Sequence, residues 1–293
     1  ARTPTSAVTV AVLMAATAVL TACSSGAQPQ PSAATTPTSR AAASSGTSRT
    51  PAADSAVREV RLSTSIDHAH GLVVSEDGTL LVGTHTGVMS VRPDGTAARV
   101  GAIDHDLMGM TGIPGTGRLI SSGHPGASSD LPNPLGLMES TDGGRVWTAV
   151  SLAGQVDFHA LATDGELVAG FDGVRGVRVS RDGGTTWTQG AAIGAAGLAM
   201  TPGSIWATTQ QGLQRSTDEA RSFTVVNGAP LLRLLAAGAD HSLWGVDLEG
   251  YAWRSKDGDA WERRGAVGQV EAIAVAAHAT AYAITADRLH VLT

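Results

Sequence analysis

The chain has 293 residues, of which 36 are glycine and 16% are charged, and its formal net charge is −6 at pH 7. Many glycines and few charged residues are typical of a protein built from strands and turns, and the length allows one large domain or two modest ones. The negative charge argues against nucleic acid as a partner.

Residues 1–23 have the pattern of a signal peptide. Arg2 precedes an apolar run over residues 7–20, which is too short for a comfortable membrane span but has the length of a signal-peptide core. The run leads into Leu-Thr-Ala-Cys, which resembles the bacterial lipobox, and Cys23 is the chain's one cysteine. We predict lipidation of Cys23 after signal cleavage, and hence a lipid-anchored protein on the extracytoplasmic side of the cell membrane. The alternative is a free or buried thiol.

Residues 24–54 are rich in Ser, Thr, Ala, Pro and Gln and contain almost no large apolar side chain. Such a segment cannot bury enough surface to offset the entropy lost on ordering. We predict a disordered tether here, followed by a folded domain over residues 55–293.

A short phrase recurs at intervals of roughly 36 to 40 residues, a period that indicates repeat architectures. Its copies are STDGGRVW, SRDGGTTW, STDEARSF and SKDGDAW. An aspartate followed by glycine favours a tight turn, because the carboxylate bonds nearby backbone N–H groups and glycine accepts positive φ. The predicted structural residues are Ser140, Asp142, Gly144 and Trp147, then Ser180, Asp182, Gly184 and Trp187, then Ser216, Asp218 and Phe223, and finally Ser255, Asp257 and Trp261.

The phrase resembles the Asp-box or BNR repeat, S-x-D-x-G-x-x-W, of sialidases, sortilin-type receptors and secreted bacterial propellers. The strings HAHGL, GTHTG, GHPG and NPLGL are similar in particular to bacterial BNR-repeat lipoproteins labelled glycosyl-hydrolase-like or exo-sialidase-like. The resemblance implies a β-propeller in which each Asp-box is a structural hairpin remote from the ligand face.

Strand-like segments follow the tether in groups of four. In the first blade the predicted strands are 71–75, 79–84, 87–92 and 97–102, and the next four blades extend over about 108–152, 159–193, 197–226 and 232–264. The last segment, 272–293, supplies only three strands, whereas residues 57–62 alternate apolar and polar without a blade of their own. We therefore predict an all-β, six-bladed propeller in which the amino-terminal strand completes the last blade and protects its edge.

In a propeller, the loops that enter the innermost strands share one face with the turns between second and third strands. This face would carry His70, Met108, His159 and Glu271 at strand entries, and His85, His124 and Asp172 at the turns. A long excursion, 124–134, also lies there. The predicted ligand or metal residues are His70, His85, Met108, His124 and His159, with Asp67, Asp106 and Asp157 as carboxylates that orient the imidazoles.

Imidazoles suit zinc, copper and nickel, and the Met108 thioether favours reduced copper, so the first hypothesis is a copper or zinc site at the channel mouth. Two alternatives remain open for the same residues. The mouth could bind a small organic ligand or a glycan, or the histidines could stabilise the channel wall through backbone hydrogen bonds.

A glycoside hydrolase is the competing class. A sialidase needs three arginines, a Tyr–Glu nucleophile pair and an Asp acid. The Phe-Arg-Ile-Pro phrase is absent, and both tyrosines, Tyr251 and Tyr282, are predicted inside strands, which argues against sialidase activity. A two-carboxylate hydrolase would use acids from the set Asp106, Asp157, Asp172 and Glu271. A third alternative is a scaffold that docks other proteins. We expect a monomer in each case.

Overall fold

The computed structural model describes residues 57–113, 117–276 and 280–293. These residues form 24 strands in six antiparallel sheets of four. Within these three ranges we find no helix with the length and apolarity needed to cross a bilayer. The predicted signal, lipidation site Cys23 and tether lie outside the described residues. The prediction of an all-β, six-bladed propeller is confirmed.

The first three blades follow the predicted order along the chain. Blade 1 comprises β2 (Ala69–Val74), β3 (Leu80–Thr84), β4 (Gly87–Val91) and β5 (Ala97–Val100). Blade 2 comprises β6 (Asp106–Ile113), β7 (Arg118–His124), β8 (Leu137–Ser140) and β9 (Thr148–Ser151). Blade 3 comprises β10 (Ala160–Thr163), β11 (Val168–Phe171), β12 (Val177–Ser180) and β13 (Thr188–Gln189).

The remaining blades complete the ring. Blade 4 comprises β14 (Gly197–Thr201), β15 (Ser204–Thr209), β16 (Gly212–Ser216) and β17 (Thr224–Val225). Blade 5 comprises β18 (Leu232–Ala237), β19 (Leu243–Asp247), β20 (Tyr251–Ser255) and β21 (Glu262–Ala266). Blade 6 comprises β22 (Ala272–Val275), β23 (Ala281–Ile284), β24 (Arg288–Leu292) and the amino-terminal β1 (Val57–Arg61).

The ring closes through the two ends of the folded domain. Strand β1 pairs antiparallel with β24, in a register that joins Val57 to Leu292 and Arg61 to Arg288. Both valines of β1 are half-buried: Val57 packs on the core cluster between blades 5 and 6, and Val60 packs on the cluster that links blade 6 to blade 1. The predicted closure by residues 57–62 is confirmed, and β24 is covered along its length.

The recurring phrase folds into the same turn each time, always between the third and fourth strands. In blade 3 the Ser180 hydroxyl donates to Asp182 Oδ1 at 2.7 Å and accepts the N–H of Gly184 at 2.8 Å. Asp182 Oδ1 in turn accepts the N–H of Thr186, and the Trp187 indole N–H donates to the carbonyl of Gly184. The serine–aspartate bond recurs at the other copies, joining Ser140 to Asp142, Ser216 to Asp218 and Ser255 to Asp257.

These turns also fix how adjacent blades pack. Gly258, in the blade 5 turn, has φ +90°, and a Cβ at this position would lie 2.1 Å from the Trp206 ring of blade 4. Trp206, Trp244 and Phe158 are fully buried between blades. Glycine is therefore required in that turn both for its conformation and for the close approach of the indole.

Candidate functional site

The innermost strands of all six blades surround a cavity of about 490 Å³. Its walls are mostly glycine, alanine and leucine, while His70, His159 and Glu271 line the end at which the chain enters those strands. This end is the channel mouth. The recurring serine–aspartate turns lie on the opposite face because neighbouring strands are antiparallel.

Irregular pairing at the strand entries determines which side chains reach the mouth. The pairing of β2 with β3 shifts between Ala69 and Gly71, and that of β6 with β7 shifts between Asp106 and Gly109. A bulge leaves a residue without a partner and re-aims its side chain. His70 lies in the first bulge and Met108 in the second. Strand β2 begins two residues before the predicted strand 71–75, and β6 begins at Asp106, close to the predicted start of the second blade at about 108.

Three predicted residues form a compact group, here called the first histidine cluster: His70, His85 and Asp106. His70 Nε2 lies 3.1 Å from His85 Nδ1 and 3.6 Å from Asp106 Oδ1, and His85 Nδ1 lies 3.0 Å from the same Oδ1. The His70 side chain is 10% exposed and that of Asp106 is 27% exposed. Asp106, predicted to orient a ligand, thus contributes an oxygen to the cluster itself.

The three groups share few hydrogens. An ionised carboxylate only accepts, so a hydrogen bond from His85 to Asp106 needs a hydrogen on the His85 nitrogen. The same nitrogen also faces His70 Nε2 at 3.1 Å, so His70 and Asp106 can compete for that hydrogen. Each of the three facing atoms can also offer a lone pair to a cation.

His68 and Glu271 support the cluster from the side of blade 6. Glu271 accepts the Ala69 N–H at 2.8 Å and lies 3.4 Å from His68 Nδ1. The His68 ring makes an edge contact with His70, at 4.7 Å between centroids, and stacks on His85 at 5.5 Å. Burial, and then the neighbouring His85 and His68, lower the pKa of His70 from 6.5 to about 4. His70 is therefore a neutral imidazole at pH 7, which is the form that binds metals.

The second histidine cluster consists of His124, Asp157 and His159, with Asn133 at its edge. Asp157 Oδ2 lies 3.0 Å from His159 Nε2 and 3.3 Å from His124 Nε2. His124 Nδ1 lies 2.7 Å from Asn133 Oδ1, in the excursion loop. Asp157 Oδ1 is buried and has no hydrogen-bond partner among the residues that the structure describes. The carboxylate predicted to orient imidazoles therefore holds two of them.

The second histidine cluster lies one blade further along the ring than the first. In each, a histidine from the turn between second and third strands contacts an aspartate at the entry to the next blade: His85 meets Asp106, and His124 meets Asp157. Asp106 and His124 are also register partners in the β6–β7 pair. The clusters are therefore neighbours on the same rim.

The other predicted residues lie apart from these groups. Met108 is half-buried in the β6 bulge, and Asp67 is exposed. The histidine–carboxylate contacts among the described residues involve Glu59, Asp106, Asp157 and Glu271 rather than Asp67. Asp172 accepts the N–H groups of Val174 and Arg175 and pairs with Arg178 at 3.3 Å, so its contacts are those of a turn.

Sequence reasoning missed His68, Asn133 and Arg233. Arg233 lies in a third bulge, between Leu232 and Leu234 of β18, which is the position of His70 in blade 1. It donates to the carbonyl of Val270, and burial lowers the pKa of its guanidinium. Alignment of the blades on their inner strands would have revealed Arg233, whereas His68 and Asn133 depend on loop conformations that the sequence does not specify.

Comparisons with known proteins support the architecture. No protein-family model and no curated protein sequence matches this chain. Among solved structures, it is similar to a gluconolactonase of Xanthomonas campestris, at 13% identity and a TM-score of 0.63, over 80% of this chain and 89% of that one. It is similar to a streptogramin B lyase, at 13% identity and a TM-score of 0.55. It is also similar to YCF48 bound to a D1 peptide, at 13% identity and a TM-score of 0.53. Both alignments cover 81% of this chain and 97% of the other protein. At these identities, the similarity shows that the chain has the fold of a β-propeller.

Proposed function

We propose that the protein binds a divalent transition metal at the channel mouth through His70, His85 and Asp106, with zinc as the first candidate. The observation that carries this proposal is the convergence of two imidazole nitrogens and one carboxylate oxygen, all within 4.8 Å of one another.

The spacing of the three atoms matches a tetrahedral site. Zinc binds histidine nitrogen and carboxylate oxygen at about 2.0–2.2 Å, which places two tetrahedral ligands ~3.4 Å apart. The three separations in the first histidine cluster are 3.0, 3.1 and 3.6 Å. Three ligands at these separations need only small movements to enclose an ion, and they leave a fourth position for water or a ligand.

The donor atoms also bear on which metal binds. Two nitrogens and one oxygen suit zinc, copper(II) or nickel, whereas copper(I) prefers sulfur. The nitrogen and oxygen atoms of the first histidine cluster therefore make zinc the first candidate to test, with copper(II) beside it.

Glycoside hydrolysis has less support. The four candidate carboxylates, Asp106, Asp157, Asp172 and Glu271, already contact histidine, arginine or backbone N–H groups. Tyr251 and Tyr282 lie in β20 and β23, and Arg263 stacks over the Tyr251 ring at 4.5 Å. These positions and this contact do not resemble a tyrosine nucleophile paired with a glutamate.

The wider proposal is a lipid-anchored, extracytoplasmic propeller of the Asp-box type. The apolar run that ends at Cys23 supports the anchor, and the four turns with a shared serine–aspartate bond support the repeat family.

Calorimetric titration of Zn(II), Cu(II) and Cu(I) tests the metal proposal in the domain 55–293, which contains every described strand. We expect one zinc per chain in the wild type and loss of that binding in the His70→Ala, His85→Ala double variant. His241→Asn is the matched control, because His241 is exposed on the opposite face and its φ of 66° suits asparagine. Absence of zinc binding to the wild type would refute the site.

A further inference from the structure

We propose that the mouth is a hydrolytic centre in which His159, held by Asp157, is the general base for attack of water on a small uncharged ester. This inference rests on the proposed metal site, which would hold and polarise the attacking water. It assigns a role to the second histidine cluster, which the metal proposal leaves unused.

The contacts of Asp157 suggest where its two histidines carry their hydrogens. The carboxylate is 15% exposed, and both imidazoles approach its Oδ2 through Nε2. Because a carboxylate only accepts, a neutral imidazole that bonds to Oδ2 carries its hydrogen on Nε2. The remaining nitrogen, Nδ1, is then the one with a free lone pair. Aspartate positions and orients the imidazole in this way in many hydrolases.

Of the two imidazoles, that of His159 has an Nδ1 atom that can act as a base. His124 Nδ1 faces the Asn133 amide, which can turn its NH₂ toward that nitrogen. The His159 side chain is 50% exposed and lines the cavity, and its described contacts are those at Nε2. Its Nδ1 is therefore available to a molecule in the mouth.

The proposed metal ligand and the proposed base border one cavity. His70 and His159 both line it, and the chain between their strands, β6, carries Asp106 of the first histidine cluster. Asp106 stands opposite His124 in the β6–β7 register, which places the clusters side by side. His70 would hold the metal and His159 would act as the base from the rim of the same cavity.

The wall of the cavity indicates the class of substrate. Below the mouth it is formed mainly by small residues and by Leu72, Leu161, Leu198, Leu235 and Ile273. Arg118, at the far end, bonds Glu139. The leucine and isoleucine side chains can pack on an apolar group, and the wall also presents polar atoms that can meet the ester group. The cavity volume of about 490 Å³ suffices for an ester with a short acyl chain.

The reaction balances without any further reagent. Water gives one proton to His159 Nδ1 as its oxygen forms a bond to the ester carbonyl carbon. The bond from that carbon to the alcohol oxygen then breaks, and the His159 imidazolium returns the proton to the departing oxygen. One ester and one water become one acid and one alcohol, with no change in oxidation state.

The test measures kcat and KM for p-nitrophenyl acetate and butyrate with the zinc-loaded domain 55–293, and zinc binding by calorimetry on the same samples. For His159→Ala we expect kcat to fall about 100-fold or more, with KM and zinc affinity within about twofold of wild type. Added imidazole should restore part of the lost rate in His159→Ala, above the sum of the rates with imidazole alone and with the variant alone, which a purely structural role of His159 would not allow. His159→Gln keeps the size of the side chain and should lose the same activity.

Asp157→Asn tests the positioning role, because the amide can donate to Nε2 and so favour the wrong tautomer. We expect a lower kcat, an unchanged KM and no rescue by imidazole, and His241→Asn should match wild type. Zinc binding without hydrolysis above the chelator-treated protein, or full activity in His159→Ala, would overturn this inference and leave the metal site standing. Failure of zinc to bind would refute the metal site, and the inference with it.

Discussion

At the scale of single residues, the mouth depends on contacts that hold His70 in its bulge. Glu271 is the main one, since its carboxylate accepts the Ala69 N–H and faces His68. Groups that orient a metal ligand without touching the metal commonly change affinity by about 10–100-fold. Glu271 therefore belongs to the site although it contributes no atom to the cluster.

We expect Glu271→Ala to weaken zinc binding about tenfold, because the Ala69 N–H loses its acceptor and the bulge can relax. Glu271→Gln retains an acceptor oxygen and should weaken it less. Competition calorimetry with a chelator of known affinity measures both effects. Glu76→Ala is the control, since Glu76 is exposed and borders the far end of the same cavity. Equal affinities in all three variants would contradict this role for Glu271.

At the scale of the element, the recurring serine–aspartate turn couples folding to the charge of its aspartate. The backbone N–H of Thr186 and its hydroxyl lower the pKa of Asp182 from 3.8 to about 2. The hydroxyl of Ser222 and its N–H do the same for Asp218, again to about 2. A carboxyl whose pKa is lower in the folded state stabilises that state above the unfolded value, and this contribution is lost as the pH falls through the folded value.

We therefore predict that the thermal midpoint of unfolding falls between pH 4 and pH 2. In the double variant Asp182→Asn, Asp218→Asn, two of the titrating groups are gone, so the midpoint should be lower at pH 7 and change less over that interval. Scanning calorimetry of the domain from pH 7 to pH 2 measures the slopes. Asp130→Asn, at an exposed position of the excursion loop, is the control, and a slope equal to wild type in the double variant would contradict the prediction.

At the scale of the whole molecule, the ring is held closed by pairing between sequence-distant strands. Every ladder position of β1, from Val57 to Arg61, is matched by a residue of β24, from Leu292 to Arg288. Outside the ladder, Arg288 also pairs with Glu59 at 3.1 Å. Without β1, blade 6 would keep three strands and present β24 as a free edge, which is a template for pairing with other chains.

We predict that a chain beginning at residue 63 unfolds at least several degrees below one beginning at residue 55 and forms oligomers. The lower midpoint reflects the loss of a five-residue ladder, and the oligomers reflect the free edge. Thermal melting and size-exclusion chromatography with light scattering measure the two effects. Identical melting and a monomeric shorter chain would show that closure contributes little.

The features that span the whole molecule were the most predictable from the sequence. The blades, the serine–aspartate turns and the closing strand follow from turn chemistry and alternation that repeat at a steady period, so all three were predictable. For His70, His85 and Asp106, the sequence could predict that they lie near the same face of the propeller, but not that their side chains meet. Which atoms meet depends on one-residue shifts in β2 and β6, and such shifts leave no distinct pattern in the sequence.

The one-blade step of the histidine–aspartate contacts has a mechanical consequence. His70 and His85 belong to blade 1 and Asp106 to blade 2, so an ion among them would fasten two neighbouring blades of the ring. Any opening that parts those blades must release the ion, and any ion that binds must resist the opening. Ion binding at the mouth and the contact between blades 1 and 2 are thus thermodynamically linked, so that each one strengthens the other.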